Sequence, residues 1–85
     1  MVQPGRHRNP VDTESFAGRV GWNVRRTREK LNLSVVDASS KANMDRATWY
    51  RLEGGTRASL TGRAIDDVAD VLGVGISELV RKVPC

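Results

Sequence analysis

Eighty-five residues make one domain with one modest core, too small to hold a catalytic domain beside a separate binding domain. Fourteen Lys and Arg against ten Asp and Glu give a net charge of +4 and a pI near 10.0, a balance that favours a polyanionic partner. A single cysteine, Cys85, excludes an intramolecular disulfide and a cysteine-based metal site, and no apolar run approaches the roughly 18 to 20 residues that cross a bilayer.

Charge is also segregated along the chain. Residues 1–63 carry twelve basic and six acidic side chains, a net +6, whereas residues 64–85 carry Arg81 and Lys82 against Asp66, Asp67, Asp70 and Glu78, a net −2. The cationic part suits docking on phosphates, and the acidic rear suits water or another protein. With one cysteine and no apolar leader, a reducing cytoplasmic setting is expected, nucleoid-associated when bound to DNA.

Residues 1–12 hold Pro4, Gly5, Pro10 and the basic group Arg6-His7-Arg8 without apolar periodicity, and predict a flexible basic arm. Residues 13–85 are assigned to one folded unit. From about Thr13, Phe16, Val20, Val24, Thr27 and Leu31 recur at helical spacing and predict an amphipathic first helix. Ser34 can cap a second helix and Asp45 a third, because their side-chain oxygens accept from the free amides of a first turn. Lys41 to Met44 are left as the connection, where Asn43 suits a left-handed turn. Gly54 and Gly55 stop the third helix.

After a polar connection from Thr56 to Ser59, Leu60, Ala64, Ile65, Val68, Ala69, Val71 and Leu72 form the apolar face of a fourth helix that ends at Gly73. A short fifth helix is predicted over about 76–82, with Ile76, Leu79 and Val80 turned inward and Pro84 closing the chain. No strand pattern is present, and the expectation is an all-α, compact five-helix domain.

On a wheel of the third helix, Trp49 and Leu52 fall on one side, flanked by Asp45 and Thr48, and that side is the expected core. Arg46, Ala47, Tyr50 and Arg51 group on the opposite side. An Arg fork can pair with guanine O6 and N7 in the major groove, and Ala can meet a thymine methyl. A merely solvated helix face has the same composition, so the wheel alone leaves both readings open.

The segment from Gly21 to Leu79 resembles the lambda-repressor/Cro-type helix-turn-helix family, also called XRE-like. Gly21, Val24 and Arg28 carry the likeness, followed by Leu33-Ser34, Asp45 through Leu52-Glu53-Gly54-Gly55, and Ala69-Asp70-Val71-Leu72-Gly73-Val74 leading to Leu79. The resemblance implies a five-helix domain whose third helix enters the major groove, with base-reading positions at Arg46, Ala47, Tyr50 and Arg51. It further implies a pair between Arg28 and Glu53 that fixes this helix, with Trp49 and Leu52 as its packed support. Ser34, Arg57 and Arg63 are the implied contacts to the DNA backbone, and Arg6 and Arg8 would add electrostatic contact from the arm. Four positions depart from the family: Val35 stands where Gln usually contacts the backbone, Ala38 and Trp49 exchange a large and a small residue, and Asn43 replaces a turn Gly.

His7 has no evident partner, and Asp66 and Asp67 diverge by about 100° on a helix, so neither nominates a metal site. Trp22 is left open between packing, a subunit contact and a place near the backbone. The sequence therefore predicts a prokaryotic or phage transcription regulator of the repressor/Cro kind, without catalysis, cofactor or metal. Its partner would be double-stranded DNA, bound by two copies that associate through the fourth and fifth helices or on the DNA itself. The alternative is an antitoxin-like or inhibitory protein-interaction module on the same fold.

Overall fold

The structure, a computed structural model, describes residues 13–56 and 60–83; the expected arm with Arg6, His7 and Arg8, together with Arg57 and Cys85, lies outside the described residues. Five helices follow in order: α1 (Phe16–Lys30), α2 (Val35–Lys41), α3 (Arg46–Glu53), α4 (Gly62–Leu72) and α5 (Ile76–Val80), with no strand among the described residues.

Four helices begin at a side chain that satisfies an otherwise free amide. Ser15 Oγ accepts from the Gly18 N–H at 3.0 Å, Ser34 Oγ from Asp37 at 3.0 Å, Asp45 Oδ1 from Thr48 at 2.9 Å and Thr61 Oγ1 from Ala64 at 3.0 Å. Left-handed residues end them. Asn32 (φ 58°) follows α1, Asn43 (φ 57°) follows α2, Gly55 (φ 82°) follows α3 and Gly73 (φ 69°) follows α4. Helix α4 opens at Gly62, so Leu60 lies outside the helix yet still packs against the core.

The core is one cluster of Val20, Val24, Ala38, Ala42, Trp49, Leu52, Val68, Ala69, Leu72 and Leu79. Ala38 and Trp49 are both fully buried in it, so a small side chain on α2 stands with a large one on α3. Helix α3 packs against α1 and α2, and its meeting with α1 is unusually close. A Cβ placed on Gly21 would lie 2.5 Å from the Leu52 carbonyl oxygen and 2.7 Å from that of Glu53. Only glycine lets the two backbones touch there.

Three expectations need correction. Helix α5 ends at Val80 rather than near Lys82, because Asn23 Nδ2 donates to the carbonyl oxygens of both Leu79 and Arg81 at 2.9 Å, and Arg81 leaves extended (φ −75°, ψ 159°). In a helix of little more than one turn Leu79 is fully buried and Val80 packs against the core, as expected, but Ile76 is 45% exposed instead of turned inward. Phe16 and Leu31, placed on the inner face of the first helix, sit at its two ends and are about half exposed. The Phe16 ring lies beneath the Arg19 guanidinium, 5.6 Å from its centroid.

Candidate nucleic-acid interface

Helix α3 divides cleanly. Trp49, Leu52 and Glu53 are buried, while Arg46, Ala47, Tyr50 and Arg51 are all exposed. Two guanidinium forks and a phenol therefore share one free face of an eight-residue helix. Its N-cap carboxylate, Asp45, is held below the usual carboxylate range by hydrogen bonding from Thr48, through the hydroxyl first and the backbone N–H second.

Behind this face lies a polar clamp. Arg28 Nε donates to Glu53 Oε2 at 2.6 Å and Nη2 donates to Oε1 at 3.2 Å, a two-pronged pair. Arg28 Nη1 also donates to the Leu33 carbonyl oxygen at 2.8 Å, tying α1 to the entrance of α2. The side chains are only 13% and 7% exposed. The hydrogen bond to Glu53 holds the Arg28 guanidinium above its ordinary, already high pKa, outweighing the opposing effect of burial.

A third donor completes the clamp: Trp49 Nε1 reaches Glu53 Oε2 at 2.7 Å. One carboxylate thus joins α1 to the core side of α3. Sequence reading treated Trp49 only as packing, although Trp49 and Glu53 are four apart on a helix, the spacing at which side chains meet. Asn23, which anchors α5 from α1, was missed as well, and nothing in its local pattern would have singled it out.

The other nominated residues lie apart from α3. Ser34 is exposed at the start of α2, its Oγ engaged in the cap. Val35 packs against the core, leaving the 53% exposed Val36 beside it on the first turn. Arg63, in the first turn of α4, has a side chain 90% exposed and only a long 3.8 Å approach to Asp67. Among the described residues no group of three or more His, Cys, Asp or Glu is placed to hold a metal. No described helix is long and apolar enough to cross a membrane.

Two capped helices joined by a left-handed turn, packed on three others with the outer face of the second left free, define a helix-turn-helix domain of the kind found in DNA-binding regulators. The profile of a helix-turn-helix domain family matches residues 11–81, and the chain belongs to that family, in keeping with its XRE-like resemblance. Comparison with curated proteins and with solved structures gives no match.

Proposed function

We propose that the protein is a sequence-specific transcription regulator of the prokaryotic repressor/Cro kind, which lays α3 in the major groove of double-stranded DNA. The observation that carries this reading is the outward grouping of Arg46, Ala47, Tyr50 and Arg51 on a helix whose other side is locked to α1. In this reading Arg46 and Arg51 address guanine edges, Ala47 a thymine methyl, and Tyr50 a base edge or adjacent phosphate.

Ser34, Arg63 and Arg57 take the sugar-phosphate backbone, with Arg6 and Arg8 adding contact from residues 1–12. An α-helix of eight residues is about 12 Å long and covers only a few base pairs, so two copies on half-sites about one helical turn apart supply the affinity. The role requires no cofactor, metal or catalysis, and its place is the cytoplasm, on the nucleoid.

Selection of bound duplexes from a random pool at fixed moderate salt, with mass measurement of the complex, tests the reading. A compact symmetric motif with two chains per duplex supports it. Enrichment of no motif, or binding that does not respond to salt, rejects it.

A further inference from the structure

Helices α1 and α5 enclose a groove of about 240 Å³ whose walls include Trp22, Arg26, Lys30, Val74, Glu78 and Arg81. We propose that this groove docks an acidic segment of another protein, which seats one apolar side chain beside Trp22 and places its carboxylates against Arg26, Lys30 and Arg81.

The groove is built rather than incidental. Arg26 is stacked over Trp22, 4.8 Å from the ring centroid, and Arg81 Nη1 lies 3.4 Å from Glu78 Oε1. Asn23 fixes the α5 wall through the Leu79 and Arg81 carbonyls, and the Thr27 hydroxyl turns back to the Asn23 carbonyl oxygen at 2.8 Å. Trp49 is consumed by the core, whereas Trp22 is only half-buried and keeps a surface for a partner. Aromatic and arginine side chains together are the usual anchors of a protein interface.

Size, charge and direction select the occupant. A volume below the roughly 300 to 1,000 Å³ of small-molecule sites suits one side chain of a peptide. Three cations against one carboxylate leave the walls positive, complementary to acidic residues. At about 100° per residue Trp22 and Arg26 lie roughly 120° and 160° around α1 from Arg28, which faces α3, so the groove points away from the reading face. A convex duplex would meet the Glu78 carboxylate on entering it. The acidic helix α4 of a second copy is a poor occupant, because Asp66 and Asp70 are exposed on it but none of the exposed large apolar side chains among the described residues is; Phe16 and Val36 of a second copy are left for the test to exclude.

The test is an NMR titration of the full chain with a synthetic peptide of Asp and Glu around one phenylalanine, at fixed moderate salt. The Trp22 indole and the amides of 26, 30, 74 and 81 should shift, with the Trp49 indole and α3 unmoved. Arg26→Glu, or Lys30→Glu as a second exposed variant, should weaken the peptide roughly tenfold while duplex affinity stays within about twofold. Serine in place of the peptide's phenylalanine should also weaken it. The proposal is overturned by absence of shifts at millimolar peptide, by shifts gathered on residues 46–51, or by concentration-dependent shifts of the Trp22 indole and the amides of 26, 30, 74 and 81 without peptide, which would show a second copy in the groove. Equal loss of duplex and peptide affinity in Arg26→Glu would instead make this face a phosphate contact. Failure of any of these leaves the α3 reading standing, since that rests on Arg46 and Arg51 variants.

Discussion

Arg28→Met should be strongly destabilising while leaving the α3 surface chemically intact. It strands the Glu53 carboxylate, 7% exposed, with only the neutral Trp49 indole N–H donating to it among the described residues, and it also removes the donor to the Leu33 carbonyl. Breaking a buried pair in this way costs about 3 to 5 kcal/mol. A domain of 85 residues has a total stability on the order of 4 to 13 kcal/mol, so a large share is at stake. The corresponding fall in melting temperature is on the order of 12 to 40 °C. Removing the second charge as well, in Arg28→Met with Glu53→Leu, should recover part of the loss. What remains is about 1 to 3 kcal/mol, because the fully buried Trp49 still loses the acceptor for its N–H. Urea unfolding of the three proteins, compared at constant slope, measures this ordering. A double variant as unstable as Arg28→Met, or worse, would refute the claim that the uncompensated carboxylate dominates.

Gly21→Ala should destabilise even though alanine ordinarily gains up to about 1 kcal/mol over glycine in a helix: its Cβ would meet backbone carbonyl oxygens at 2.5 and 2.7 Å, so α1 and α3 must part. Duplex affinity should fall beyond what the unfolded fraction explains, as a titration at a temperature where the variant remains folded will show. Asp45 is held below its unfolded value of about 3.9, so its contribution is complete above that pH and is lost as pH falls through the lower folded value. The difference in urea midpoint between the parent and Asp45→Asn should therefore be constant from pH 7 to 5 and shrink below about pH 4; a change between pH 7 and 5 contradicts this. Thr61→Ala removes the acceptor for the Ala64 N–H and should cost about 1 kcal/mol by urea unfolding, with sequence preference on DNA unchanged.

Much of this architecture is legible in the residues because the local rules agree. Ser34 and Asp45 cap the helices they precede, Asn43 adopts the left-handed turn its type allows, and the wheel of α3 separates Trp49 and Leu52 from Arg46, Ala47, Tyr50 and Arg51. Contacts between distant parts of the chain are not written in periodicity. Asn23 meets carbonyls 56 and 58 residues away, and its grip sets where α5 ends. Ile76 and Phe16 carry the right residue type for a core, but they stand at helix ends, beyond the cluster that Leu79 and Val20 enter. The sharing of Glu53 between Arg28 and Trp49 combines a readable four-residue spacing on α3 with a contact to α1 that needs the fold.

The reading of α3 is tested most directly by titrating the parent, Arg51→Ala and Arg63→Ala against the selected duplex and a scrambled one over a range of salt. Arg51→Ala should lose about 1 to 3 kcal/mol on the selected duplex alone and narrow the gap between the two, whereas Arg63→Ala should weaken both alike and flatten the log affinity against log salt slope by about 0.9. If the two variants behave the same, or if Arg51→Ala leaves the preference between duplexes untouched, α3 does not read bases.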